Sequence, residues 1–142
     1  MNKNLLTSIK QDYETPQPLF DELDSIFHFD LDVAASCDNA KCANYFTEED
    51  DGLKQSWAGH SVWMNPPYGK KIHRWVKKAF DESQNPDTTI VCLIPARTDT
   101  NWFHDYCLKG DVIFIRGRLR FSGLSVNAPF PSMIVVFGKE NR

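Results

Sequence analysis

The side chains best suited to chemistry lie in one short stretch, Asn65, Pro66, Pro67 and Tyr68, which follows the apolar run Val62–Met64. The two prolines fix φ and remove two backbone donors, so the loop is stiff and its carbonyl groups are free to accept hydrogen bonds. Such a loop can hold a planar group that carries an NH2, because it offers acceptors for the amino hydrogens and a ring on which the plane can stack. A rigid turn without a function is the competing interpretation of these four residues taken alone.

The elements that position this loop follow from apolar periodicity. Thr15 and Pro16 are typical of the start of a helix, where Thr serves as N-cap and Pro occupies the first helical position. We expect Thr98 or Asp99 to begin a later helix that stops at Lys109 and Gly110. The pattern predicts helices over about 17–27, from 72 to about 80 and over the region after 99, and strands over 29–35, 61–65, 88–94, 112–115 and 133–137, with a short strand near Tyr45 and Phe46.

Strands that alternate with helices predict an α/β domain with a largely parallel sheet, closed by an antiparallel hairpin over 111–138. Ligands in such sheets bind at the carboxyl ends of the strands. We therefore expect residues 34–36, 65–69 and 95–99 to lie around one crevice. The segment 36–60 is too short for two further βα units, which need roughly 60 residues.

The composition indicates one globular domain over residues 1–142, with a flexible N-terminus over 1–11. The sequence is 42% hydrophobic and 25% charged, and a chain of this size buries about two-thirds of its surface. It contains no apolar run of the roughly 20 residues that a membrane span needs, and its start lacks the pattern of a signal peptide. Four cysteines without a Cys-x-x-Cys spacing favour reduced thiols in the cytoplasm over a metal site or disulfides.

Charge is distributed unevenly along the chain, whose net charge is -3. Residues 1–60 carry 12 acidic and 4 basic side chains, whereas residues 61–142 carry 7 acidic and 12 basic ones. The basic half begins next to the Asn-Pro-Pro-Tyr loop. This distribution favours a polyanionic substrate.

Three segments in this order resemble one family. Glu14-Thr15-Pro16, the Asp32–Ser36 turn and Asn65–Tyr68 are similar to the motifs of N6-adenine methyltransferases, and about residues 12–138 resemble the small phage-type DNA N-6-adenine-methyltransferase (Dam-like) family. The resemblance implies a Rossmann-like class I methyltransferase sheet that is abbreviated between its first strand and the Asn-Pro-Pro-Tyr strand. For a phage-encoded protein it implies the cytoplasm of the host cell.

The resemblance also implies site-specific methyl transfer from S-adenosylmethionine to adenine N6 in DNA. Asn65 and the Pro66 carbonyl would then accept hydrogen bonds from N6, and Tyr68 would stack on the base after its extrusion from the duplex. Pro67 stiffens this catalytic loop. The residues expected to contact the cofactor are Thr15, Pro16, Asp32, Ala34, Asp51 and Asn65.

Basic side chains that follow the strands are expected to contact DNA phosphates. Arg116, Arg118 and Arg120 alternate with other residues, so in an extended chain they lie on one face. The full expected set is Arg97, Arg116, Arg118, Arg120, Lys70 and Arg74, although basic residues on an amphipathic helix also serve ordinary solvation. The sequence shows no separate target-recognition domain, so sequence reading is either limited or completed by a second copy in a homodimer.

Two alternatives stay open from the residues themselves. The abbreviated 36–60 region favours a non-catalytic DNA-binding or regulatory module that keeps the fold but has lost cofactor binding, and Ala34-Ala35-Ser36 stands where methyltransferases commonly carry a Gly-rich loop. The Asn-Pro-Pro-Tyr loop also suits another planar amino group, such as a protein glutamine amide or an RNA base. The fold alone does not choose among these functions.

Overall fold

The computed structural model describes residues 13–138, so the flexible N-terminus predicted over 1–11 lies outside the described residues. Helices and strands are numbered here in chain order. They are α1 (Gln17–Phe27), β1 (Leu31–Asp32), β2 (Ser61–Met64), α2 (Ile72–Glu82), β3 (Thr89–Pro95), α3 (Asn101–Asp105), β4 (Asp111–Phe114) and β5 (Ser132–Phe137). Two 3₁₀ turns, Gly52–Lys54 and Cys107–Lys109, join these elements.

The five strands form one open sheet in the order β1-β2-β3-β5-β4. The first three are parallel, and β5 is antiparallel to both β3 and β4. Because β5 is reversed, β4 runs parallel to β3, and the first four strands in the chain all end at one side of the sheet, here called the carboxyl edge. The predicted mixed α/β class and the antiparallel closing pair are confirmed.

The core lies on both faces of the central strands. Every residue of β3 and β5 is buried, as strands covered on both sides require. The helix α2 buries its apolar stripe of Ile72, Val76 and Ala79, and α1 packs Phe20 edge-on against the Trp63 ring. The bounds predicted for α1 agree with the structure, but the predicted N-cap is wrong. Pro16 and not Thr15 occupies the N-cap position, α1 has no side-chain cap, and the Thr15 hydroxyl accepts from Asn65 Nδ2 instead.

The strand predicted over 29–35 is wrong in its length, since the sheet includes only Leu31–Asp32 there. The main chain turns to pair with the following loop instead. The Phe46 amide donates to the carbonyl of Asp32, and the Ala35 amide donates to the carbonyl of Phe46. The short strand expected near residues 45 and 46 is a single parallel bridge between Asp32 and Tyr45.

Two further predictions are corrected by local geometry. The N-cap of α3 is Thr100, whose hydroxyl accepts from the Phe103 amide at 3.3 Å, so neither of the two preceding residues begins the helix. The arginine stretch is not an extended strand, because Gly117 has a φ of +77° and bends the chain. Across the part of the chain that the structure describes, no helix has the length and apolar character of a membrane span.

Candidate active site

Asn65 follows β2 directly and is held by the segment that precedes α1. Its Nδ2 donates to the Tyr13 carbonyl and, over 2.9 Å, to Thr15 Oγ1. A backbone carbonyl only accepts, so the nitrogen end of the amide must face that segment. The oxygen end therefore points the other way, toward the Tyr68 hydroxyl at 2.7 Å. An amide oxygen accepts two hydrogen bonds, so Asn65 Oδ1 keeps capacity for one more donor.

Tyr68 anchors the loop to the sheet. The side chain is buried, and its hydroxyl lies 2.7 Å from Asn65 Oδ1 and 3.0 Å from the Leu93 carbonyl in β3. Burial raises the pKa of Tyr68 well above its ordinary value, so the phenol is a neutral donor at working pH. Pro66 is buried beneath the loop and Pro67 is exposed.

Tyr68 belongs to an aromatic cluster made of Tyr13, Tyr68, Phe121 and Phe130. Tyr13 is stacked on Tyr68, with ring centroids 5.3 Å apart and planes 23° apart. Phe121 and Phe130 meet Tyr68 edge-on at 6.2 and 5.7 Å. The ring face on which a base was expected to stack is thus covered by Tyr13 in this conformation.

The loop that joins β4 to β5 carries Phe121 and Phe130 and lies along the segment before α1. The Ser122 amide donates to the Glu14 carbonyl at 3.0 Å, and Ser122 Oγ donates to the Thr15 carbonyl at 3.3 Å. These contacts close the aromatic cluster from the side opposite β2. Glu14 contributes only its main chain to this pairing, and it is exposed.

Asp32 lies at the end of β1 and is 3% exposed. Its carboxylate accepts from the amides of Ala34 at 3.2 Å and Lys41 at 3.0 Å. Burial raises the pKa of Asp32, while these two amides and the Lys41 charge act in the opposite direction. Asp32 therefore holds the 34–41 turn in place, and its predicted contact with a cofactor stays a prediction.

Asp51 lies beside the same turn because of the glycine that follows it. An added Cβ on Gly52 would meet the Val33 carbonyl at 2.2 Å, so only glycine allows this approach to the end of β1. Asp51 Oδ1 accepts from the Leu53 amide at 3.2 Å, and Trp57 Nε1 donates to the Gly52 carbonyl at 2.9 Å. The structure thus places Asp51 next to the end of β1, near Ala34.

A crevice of about 440 Å³ opens at the carboxyl edge between the ends of β2 and β3, here called the basic crevice. Of the three segments expected around one crevice, 65–69 contributes only Gly69 and 95–99 contributes Pro95 and Arg97, whereas 34–36 does not line it. Its lining residues are Gly69, Lys70, Ile72, His73, Pro95, Arg97 and Trp102. Arg74 is exposed on α2, and Arg116, Arg118 and Arg120 are exposed after β4 at this same edge.

Several residues of this region were missed by the sequence interpretation as site residues. Tyr13, Phe121 and Phe130 were not predicted as site residues. Tyr13 directly precedes the Glu14-Thr15-Pro16 motif and Phe121 directly follows Arg120, so position in the chain was the available signal for these two, whereas Phe130 has none. His73 and Trp102 in the basic crevice carry no such signal.

The fold and this loop geometry define a class before any comparison. A mixed α/β chain with an open five-stranded sheet, whose last strand is reversed and inserted next to the edge strand, is compatible with a methyltransferase-like fold. A family model described as DNA N-6-adenine-methyltransferase (Dam) matches residues 2–137. The chain belongs to this family.

Two curated relatives are similar over most of the chain. The DNA N-6-adenine-methyltransferase of Haemophilus phage HP1 (strain HP1c1) is 33% identical over 116 residues, which cover 79% of this chain and 66% of the relative. The DNA N-6-adenine-methyltransferase of Escherichia phage T1 is 32% identical over 102 residues, which cover 70% of this chain and 42% of the relative. The chain therefore spans slightly less than two thirds of the first relative and less than half of the second.

Proposed function

We propose that this protein is a DNA methyltransferase that is specific for adenine and transfers a methyl group from S-adenosylmethionine to N6. The observation that carries the proposal is the fixed orientation of Asn65. Its amide nitrogen is held by Tyr13 and Thr15, so its oxygen is presented as an acceptor beside the rigid prolines. Family membership and the names of both phage relatives support the same reaction.

The proposed catalytic loop acts by aligning the amino group and by stabilising charge. Asn65 Oδ1 and the Pro66 carbonyl accept the two hydrogens of N6, and these acceptors stabilise the positive charge that develops on the nitrogen during transfer. Holding the nitrogen in line with the methyl group removes much of the entropic barrier. Tyr68 contributes its ring and, through its hydroxyl, the position of Asn65.

The residues around the start of α1 suit the methyl donor. This helix has neither a side-chain cap nor an acidic residue in its first turn, so its amides suit a carboxylate. When bound, S-adenosylmethionine supplies an electrophilic methyl group on a sulfonium. We propose that it is held by Thr15, Pro16, Asp32, Ala34, Asp51 and Asn65.

We also propose that the sheet is an abbreviated Rossmann-like class I methyltransferase sheet, in which β1 is an edge strand because the βα units that such a sheet places beyond it are missing. DNA is the proposed partner and would lie along the carboxyl edge. Its phosphates would be bound by Arg97, Lys70, Arg74, Arg116, Arg118 and Arg120, and the target base would leave the stack to reach Asn65. A homodimer and a location in the cytoplasm of a phage host belong to the same proposal.

The test is transfer of labelled methyl groups from S-adenosylmethionine to unmethylated DNA, followed by nucleoside analysis. The expected product is N6-methyladenine. Formation of N4-methylcytosine would change the target base, and label in RNA or protein alone would favour the other amino acceptors. No transfer together with no cofactor binding would leave a non-catalytic module as the function.

Asn65→Ala gives the matching residue-level test. We expect it to abolish transfer because the acceptor for N6 is lost, while cofactor affinity falls by only a few-fold because the other five proposed cofactor residues remain. Asn85→Ala, in the turn after α2 at the opposite edge of the sheet, is the control and should retain activity. Loss of both transfer and cofactor binding in Asn65→Ala alone would assign Asn65 a structural role.

A further inference from the structure

We propose that the Tyr13 side chain occupies the stacking position of the target base on Tyr68 and must leave this position when the base enters. This inference rests on the proposed function. It adds a positioning residue for which the family motif gives no role. It also separates two contributions of Tyr13, because the carbonyl orients Asn65 whereas the ring closes the base site.

Ring geometry excludes simultaneous occupancy of this position. A base between two rings needs contact distances of about 3.5 Å on each side, hence a separation of about 7 Å. The centroids of Tyr13 and Tyr68 are only 5.3 Å apart and their planes differ by 23°. A base and the Tyr13 ring therefore compete for the same face of Tyr68.

No other ring of the described residues takes this place on Tyr68. Phe121 and Phe130 meet the ring edge-on, at interplanar angles of 80° and 75°, and its hydroxyl end faces Asn65 and the Leu93 carbonyl. Among these contacts, the stacked position belongs to Tyr13 alone. Tyr68 is only 2% exposed, so it has no open face on which a base could stack while Tyr13 stays in place. A flat base that stacks on the face covered by Tyr13 must therefore take the place of Tyr13.

The pocket of Tyr13 is already suited to a planar guest. Its ring is tilted by 57° against Phe121 and meets Phe130 edge-on, with centroids about 5 Å away in both cases. The Arg97 guanidinium lies 5.9 Å from the Phe130 ring and also lines the basic crevice. The aromatic cluster thus borders the surface on which DNA is proposed to lie.

Side-chain movement need not disturb the catalytic amide. The hydrogen bond from Asn65 ends on the main-chain carbonyl of Tyr13, so the ring can rotate while the amide stays oriented. The apparent affinity for the extruded base then equals the intrinsic affinity multiplied by the fraction of molecules in which the Tyr13 ring has left Tyr68. Removal of the Tyr13 ring should therefore favour extrusion of the target base from the duplex.

The test uses the sequence that the wild-type enzyme methylates, with 2-aminopurine at the target adenine, and measures the extruded fraction by fluorescence together with the KM for DNA. Tyr13→Leu should raise the extruded fraction and lower KM by about 2- to 10-fold, the range that an aromatic pair represents. Tyr13→Phe keeps the ring and should match the wild type. Phe137→Leu, at a buried aromatic residue at the opposite edge of the sheet, controls for general loss of packing.

A wild-type measurement covers the case in which Tyr13→Leu does not fold. The 19F resonance of 3-fluorotyrosine at position 13 should shift when the target duplex binds, and an unchanged resonance would overturn the proposal. An extruded fraction in Tyr13→Leu at or below the wild-type value would also overturn it, since Tyr13 would then be a wall that the base needs. If the wild type forms no N6-methyladenine, the proposed function itself fails and this inference fails with it.

Discussion

Replacing Tyr68 with Phe deletes one buried hydroxyl and leaves the ring in place. The hydroxyl contacts Asn65 Oδ1 at 2.7 Å and the Leu93 carbonyl at 3.0 Å. One lost hydrogen bond costs about 1 kcal/mol net, and a buried carbonyl left with fewer donors adds to this cost. We expect the free energy of unfolding to fall by about 1–2 kcal/mol, which for a domain of this size lowers Tm by roughly 3–8 °C.

The same substitution should affect catalysis only modestly. Asn65 keeps both hydrogen bonds from Nδ2, to the Tyr13 carbonyl and to Thr15 Oγ1, so its oxygen remains oriented without the phenol. Methyl transfer should therefore fall by less than about tenfold, a loss of up to 1.4 kcal/mol. Thermal unfolding by circular dichroism and single-turnover methylation measure the two effects, with Tyr45→Phe, at a more exposed tyrosine, as the control.

Two results would refute this reasoning. An unchanged Tm would show that the hydroxyl makes neither contact in solution. A loss of transfer beyond about 100-fold at unchanged stability and cofactor affinity would mean that the hydroxyl acts on the base itself, since about 2.7 kcal/mol exceeds what the orientation of one amide explains.

The remaining predictions concern stability, pH and salt. Gly52→Ala should destabilise by about 3 kcal/mol because its Cβ meets a backbone carbonyl at 2.2 Å, whereas Gly59→Ala, with φ +81° and open space, should cost about 1 kcal/mol in urea unfolding. The raised pKa of Asp32 means that the folded state binds the carboxyl proton more tightly than the unfolded state does, so the free energy of unfolding falls as pH rises from 3.8 toward the folded pKa. Asp32→Asn should lack this part of the pH dependence, and an identical dependence of unfolding free energy on pH would contradict the prediction. Arg97→Ala should reduce the slope of log K against log salt for DNA by about 1, whereas Lys109→Ala, next to the start of β4 at the opposite edge, should leave it unchanged.

Elements with strong local signals were predictable from the sequence. The helix α1 combines Pro16 at its start with an apolar face, and its predicted bounds are correct. The α3 cap was not predictable, because Thr98, Asp99 and Thr100 are all good N-cap residues and only the fold selects one. The prediction that the three arginines lie on one face is wrong because Gly117 has a positive φ, which breaks the alternation of an extended chain.

In the candidate site, too, local features were predictable and contacts between distant parts of the chain were not. The motif predicts Asn65 and Tyr68 as site residues, because rigid prolines and their neighbours are local features. The partners of Asn65 lie far away in the chain, and no local pattern predicts that Tyr13 covers Tyr68. The shortened β1 has a similar cause, since Asp32 bonds with the loop that follows it, and this tertiary contact overrides the alternation of apolar residues.

The position of β5 has a consequence for how this protein is made. The strand Ser132–Phe137 is synthesised after β3 and β4 but lies between them. The chain leaves the ribosome from its N-terminus, yet β3 and β4 cannot be joined in the sheet before β5 arrives. The nascent chain must keep β3, every residue of which is buried in the finished sheet, from aggregating until then. The aromatic cluster needs the loop anchored by β5, so the surroundings of Tyr68 are complete only after residue 137 has emerged.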